Sequence, residues 1–191
     1  MIQSSLLDLC TACLISEGYL YVKNAEHFVK CHIKANKAFY LTDFIEEHKL
    51  SNQVTYNLNK EELKIRVDNQ SFEILSRWYK DESKIFSNRI DRSKISKRSW
   101  LLCINLFANR KIEKLTIGTN IIQDNLPILT HSLQNYFSDV PIICNKNTLE
   151  IHNVPFLYKQ VLDSFNLIHA IEFSFFLMSQ ERNKMVKQNF V

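Results

Sequence analysis

Glycine and proline are nearly missing, at two and three residues among 191. That scarcity excludes Gly-rich phosphate loops, and with them Walker-type and Rossmann-type nucleotide sites, which need glycines to bring backbone N–H groups against phosphate. It also excludes collagen-like repeats and Pro-rich linkers. A membrane-spanning run is missing too: the longest apolar stretch, 165–178, is broken by His169 and Glu172 and falls short of the roughly 20 residues a bilayer needs. The opening Met1-Ile-Gln-Ser-Ser lacks the basic and apolar segments of a secretion signal, and the five cysteines (Cys10, Cys13, Cys31, Cys103, Cys144) form an odd set. A reduced compartment and no membrane are therefore expected. Cys10-x-x-Cys13 has no second pair to complete a zinc site, so these thiols are expected to be buried in a helix. No HExxH pattern and no Gly-flanked serine occurs, and Cys31-His32 are strand neighbours on opposite faces, out of reach as a nucleophile and its base.

What is present describes a folded chain. The hydrophobic share is 46% and the charged share 23%, inside the globular range and sufficient for one large domain or two small ones. The net charge of +4 permits a polyanionic partner. Abundant Phe, Ile, Lys and Asn beside scarce Gly suggest an AT-rich genome, hence an organelle such as the mitochondrion, or otherwise the cytoplasm.

The pattern of elements runs through once and then again. Apolar spacing predicts a helix over 6–16, ended by Glu17-Gly18, then strands over 19–23 and 28–34 and a helix over 37–49. A hairpin over 53–58 and 63–67 and a helix over 72–79 follow. Between Arg77 and Arg98 eight basic residues meet three acidic ones, a net +5 that leaves the rest of the chain near neutral. After it come a helix over 100–108, a strand over 114–119, a helix over 124–137, strands over 141–144 and 148–152, and a helix over 156–165. The expected division is a first half at 1–80, a basic linker at 81–98, a second half at 99–165 and a C-terminal extension at 166–191.

Leu6-Leu-Asp-Leu-Cys-Thr-Ala-Cys-Leu-Ile-Ser-Glu-Gly18-Tyr-Leu resembles the motif helix of LAGLIDADG homing endonucleases, with Glu17 in the place of the motif's acid. The stretch from Lys114 through Leu133-Gln-Asn-Tyr-Phe to Thr148-Leu-Glu-Ile-His resembles the second half of single-chain members. The resemblance implies an α+β monomer with a pseudo-two-fold axis: two αββαββα halves, motif helices side by side, and antiparallel sheets forming a saddle on nucleic acid. It also implies one acid from each motif helix holding divalent metal, the arrangement that two-metal phosphodiester cleavage requires. The second half departs from this pattern. Asn109-Arg110 stands where the acid–Gly pair belongs, the strand that should follow is cut short, and Arg110 is expected to bring a positive charge where the family brings metal.

The expected nucleic-acid contacts are Lys30, His32 and Lys34 on one strand face, Lys64 and Arg66 beside them, Tyr19, Tyr21 and Lys23 on the same face by parity, and the linker residues Lys94, Lys97 and Arg98. The corresponding face of the second half offers Thr116, Thr148, Glu150 and His152 and is expected to be nearly uncharged. A cleavage-inactive binder of structured RNA follows, such as a maturase or a component of a mitochondrial ribosome, with RNA placed slightly ahead of DNA and no cofactor. The alternatives are an active homing endonuclease, with Glu17 catalytic and holding Mg2+, or a DNA-binding regulator. The apolar segment 167–178 is read either as a strap on the core or as a docking surface for a protein partner.

Overall fold

The computed structural model describes residues 4–86, 95–162 and 176–188; Lys94 and positions 167–175 of the apolar segment lie outside them. The first half runs α1 (Ser4–Ile15), β1 (Tyr19–Lys23), β2 (Glu26–His32), α2 (Ala38–Glu47), β3 (Val54–Asn57), β4 (Glu62–Val67) and α3 (Asn69–Ser76). A small hairpin, β5 (Tyr79–Lys80) and β6 (Ser83–Lys84), follows. The order then repeats: α4 (Lys97–Phe107), β7 (Asn109–Arg110), β8 (Lys114–Gly118), α5 (Leu126–Gln134), β9 (Ile142–Asn145), β10 (Thr148–His152) and α6 (Val154–Leu162), with a last helix at Ser179–Gln188. Each half carries a four-stranded antiparallel sheet with the same strand order, β1-β2-β4-β3 and β7-β8-β10-β9.

Helix starts differ from the apolar spacing where a cap intervenes. Asp68 accepts from the Ser71 N–H at 2.6 Å and starts α3 at Asn69, ahead of the first apolar residue. Ser96 accepts from the Ser99 N–H at 3.0 Å and starts α4 at Lys97. Side-chain oxygens at these positions satisfy N–H groups that the helix cannot.

The core is built around α1 and α4. Ten of the twelve α1 residues are buried, so the helix has no solvent face to make it amphipathic. On α4 the whole run 99–106 is buried. The two helices are parallel: near their N-termini Asp8 accepts from the Ser99 hydroxyl at 2.8 Å and from the Ser96 hydroxyl, and at the other end Glu17 and Ala108 line one cavity. Cys10, Cys13, Leu14 and Cys103 are fully enclosed between them, while Phe107 is half-buried. Burial pushes the Cys10, Cys13 and Cys103 thiols above their ordinary range, consistent with inert packing groups rather than nucleophiles.

Gly18 does not stop α1 through a left-handed backbone, since no glycine has positive φ. Its requirement is steric. Its N–H donates to the Cys13 carbonyl at 2.9 Å, and an added Cβ would lie 2.5 Å from that same oxygen. At Gly118 an added Cβ would meet only the Glu17 side chain, Oε1 at 2.7 Å and Cδ at 3.3 Å, the end of a flexible side chain. Gly18→Ala is therefore expected to cost about 1–3 kcal/mol, as overpacking against backbone does, and Gly118→Ala less than about 0.5 kcal/mol. Urea unfolding of the two variants checks this, and equal midpoints would refute the steric account.

Candidate nucleic-acid interface

Strand register decides what the first sheet presents. Tyr19 faces Lys30, Tyr21 faces Phe28 and Lys23 faces Glu26 across β1 and β2; Phe28 faces Arg66, Lys30 faces Lys64 and His32 faces Glu62 across β2 and β4. Directly opposed residues share a face, so all of these lie on one side, while Val29, Cys31, Leu63 and Ile65 turn inward to the helices and are buried. The expected parity of Tyr19, Tyr21, Lys23, Lys30, His32, Lys64 and Arg66 is the one observed. Charge on this face is largely paired within it. Lys30 bonds Glu62, Arg66 lies 3.6 Å from Glu26, and His32 Nε2 is 3.1 Å from Glu61. Lys64 stands 3.7 Å over the Phe28 ring. The bond to Glu62 raises the Lys30 pKa and lowers that of Glu62.

Between the halves, the ends of α1 and α4 frame a cavity of about 190 Å³ that includes Glu17, His32, Lys34, Lys37, Asn109 and Gly118. Each helix end reaches the opposite half. The Glu17 carboxylate lies against Gly118, and the Asn120 amide approaches the Glu17 carbonyl at 3.4 Å. Lys34 Nζ donates to Asn109 Oδ1 at 2.9 Å. Beneath this junction, Lys84 of β6 is 4% exposed and donates to the Ser16 carbonyl at 2.6 Å and the Gly18 carbonyl at 2.8 Å. It caps the end of α1, where unpaired carbonyls carry the negative end of the helix dipole. Burial pushes its pKa down to about 7, a shift partly opposed by the nearby Cys13, Cys103, Cys31 and Glu17.

The second sheet differs. Asn109 faces Thr116, Glu150 faces Thr116 and Ile143, and His152 faces Lys114. Glu150 is held by Lys114 at 2.6 Å and approached by Asn145 at 3.3 Å and His152 at 3.5 Å; the bond from Lys114 is the chief cause of its lowered pKa. Ile143 is half exposed on the same face. The ion pair leaves this face without net charge, as expected, although Lys114 had not been counted there.

No protein-family model matches the chain, and no curated protein matches it. Solved structures do. The homing endonuclease I-WcaI bound to its DNA recognition sequence aligns over 91% of this chain and 88% of its own, with a TM-score of 0.58 at 15% identity. The chain has the LAGLIDADG homing-endonuclease fold. The LAGLIDADG homing endonuclease I-LtrWI bound to target DNA aligns over 97% of both chains at a TM-score of 0.49 and 11% identity. I-DmoI in complex with DNA and Mn aligns over 93% of this chain at 0.45 and 13%.

Within this fold, Glu17 lies just past the end of α1 and Asn109 just past the end of α4. Arg110 does not lie where the sequence suggested. It faces Leu115 across β7 and β8, so alternation turns it to the helix side, where Nη2 bonds Glu181 of the C-terminal helix at 2.7 Å. The lysines that line the junction are Lys34 and Lys37 instead. Lys97 and Arg98 also differ from their placement on a linker, for they form the first turn of α4, a helix of eleven residues that puts them some 16 Å along its axis from Asn109. Lys97 stands 5.5 Å over the Phe137 ring, and Arg98 reaches Ser5 at 3.3 Å. At the described end of the apolar segment, Phe176 and Leu177 are buried and Met178 is 38% exposed, which makes these positions part of a strap. The acids Glu26 and Glu62, the helix-capping Lys84 and the interhelix Asp8 were missed. The first two stood in the sequence at the right parity; the others act through tertiary contacts that spacing does not encode.

The residues do not fit a pair of divalent cations. One carboxylate is present, Asn109 supplies a neutral amide already bonded to an ammonium, and the Ser16 and Gly18 carbonyls are taken by Lys84. Among the described residues no group of three His, Cys, Asp or Glu is placed to hold a metal.

Lys84 makes stability depend on pH. Its ordinary value is 10.5 and its folded value about 7, so between those limits the unfolded chain holds a proton that the folded chain has released. Stability must rise with pH across that window. Lys37, pushed down to about 8 by burial and by Lys34, adds in the same direction. The urea midpoint is expected to rise from pH 7 to 8.5, and to rise less in Lys84→Met; equal slopes in the two proteins would refute this.

Proposed function

We propose that the chain binds nucleic acid across the outer faces of its two sheets, grips phosphate mainly with the first half, and does not cut. The observation that carries this reading is the Lys34–Asn109 bond at the junction of the helix ends. It puts an ammonium where two-metal cleavage needs a second anionic ligand, while leaving positive charge in the path of a phosphate backbone. The likeness to I-WcaI, a homing endonuclease bound to its DNA recognition sequence, supports a nucleic-acid partner. A structured RNA of an organelle is the form favoured here, because a protein that does not cleave has no need of a scissile duplex and the composition supports such a source. Both sheets lie in one chain, so the binding unit is a monomer.

Lys23, Lys30, Lys64 and Arg66 outnumber Glu26 and Glu62 on the first face, so pairing lowers its charge without cancelling it. Changing Lys30, Lys34, Lys64 and Arg66 together to Gln is expected to flatten the log-affinity against log-salt slope by about 2 to 4, since each phosphate contact contributes roughly 0.7–0.9. Folding should survive, since all four side chains, Lys30 and Lys64 half-buried and Lys34 and Arg66 exposed, lie outside the core, where a substitution usually costs within about 0.5 kcal/mol. Fluorescence anisotropy with a structured RNA and a duplex DNA of equal length measures both slopes and ranks the two partners. In magnesium the purified protein is expected to leave supercoiled DNA intact, and Glu17→Gln to bind as well as wild type or slightly better. Metal-dependent nicking abolished by Glu17→Gln would establish the endonuclease instead.

A further inference from the structure

A second cavity, of about 450 Å³, opens beside the junction and shares Lys37, Ala108 and Asn109 with it. Its other walls are Asn36, Phe39, Tyr40, Arg110 and Phe176. Its size falls in the range of small-molecule sites, and its chemistry divides into two parts. One part is aromatic. Phe39 is 69% exposed, an unusual cost for a phenyl ring on a helix, and its ring lies 6.1 Å from that of Tyr40 at 69°. The other part is cationic. Lys37 Nζ sits 4.4 Å over the Phe176 ring and 5.9 Å from that of Tyr40, and Lys34, on the wall of the adjoining junction cavity, is close enough to depress its pKa. Lys30, Arg66, His32, Lys114 and Arg110 all have carboxylate partners. Among the described residues Lys34 and Lys37 have none.

We propose that this cavity receives one unpaired nucleotide, its phosphate between Lys34 and Lys37 and its base stacked against Phe39 and Tyr40. Asn36 supplies an amide at the wall that can meet a base edge. The inference rests on the nucleic-acid reading above and refines it, for it makes the preferred ligand a duplex with an extruded base rather than a continuous one. A phosphate between the two lysines offsets both the burial and the mutual repulsion that now weigh on Lys37. Stacking on an exposed ring is indifferent to which base is presented, since every base has a π-face.

The test is a short RNA duplex bearing a single bulged 2-aminopurine, compared with the same duplex in which that base is paired. The bulged duplex is expected to bind the full chain about tenfold more tightly, with its fluorescence quenched on binding. Phe39→Ala should remove both effects, and Phe39→Trp should keep them; Phe39 is exposed, so neither substitution disturbs the core. Changing Lys30 and Lys64 to Gln should weaken both duplexes alike and leave their ratio intact. Equal affinity for the two duplexes, or a bulged base that stays bright when bound, overturns the pocket while leaving the nucleic-acid reading standing. A chain that binds neither duplex overturns both.

Discussion

Two helices buried on nearly every side impose the order on which this protein depends. A solvent-exposed helix tolerates polar substitution along half its circumference. Neither α1 nor α4 has that freedom, because each packs against the other and serves its own half's sheet. Asp8 is the telling residue. A carboxylate so deeply placed is tolerable only where donors meet it, and the Ser96 and Ser99 hydroxyls at the positive end of α4 do so. The same contact sets the two helices parallel and in register, and register in turn brings both C-terminal ends to one junction. The Glu17 and Asn109 geometry is the far-end consequence of a hydrogen bond made at the near end.

Much of the fold was legible because the sequence is periodic where burial is simple. The alternation in 28–34 and 63–67 separated Lys30, Lys64 and Arg66 from Val29, Leu63 and Ile65, and the register bears that out pair by pair. Prediction from apolar spacing failed at edges, where a cap outranks it, as at Asp68 and Ser96. It also treated charge as a list. Counting basic residues found the face but not its ion pairs, since Glu26 and Glu62 become neighbours of Arg66 and Lys30 only once the strands are laid side by side. Lys84 shows the deeper limit. The sequence shows it only as one base of a basic linker, and nothing in its local sequence says that a two-strand hairpin folds back to place it under α1.

The two halves share one topology but present unlike outer faces. The first sheet has five-residue and seven-residue strands at β1 and β2 and a surplus of positive charge; the second has a two-residue β7, an internally neutralised Glu150 and a half-exposed Ile143. At its short strand the Arg110 side chain is committed to Glu181 on the helix side. A half relieved of symmetric contacts can lose charge without unfolding, because its core residues, Leu115, Ile117, Leu149 and Ile151, remain fully buried.

The bond from Lys34 to Asn109 also constrains what descendants of this chain can become. A carboxylate arising at position 109 would meet an ammonium already within bonding distance and form an ion pair across the halves, with its oxygens engaged and its charge cancelled. An acid free to act there requires Lys34 to change as well. Neither single step delivers the double state, and loss of the lysine alone strips an ammonium from the junction of the helix ends. One hydrogen bond thus couples two residues 75 positions apart in the chain, so that a change at either alters what the other can do.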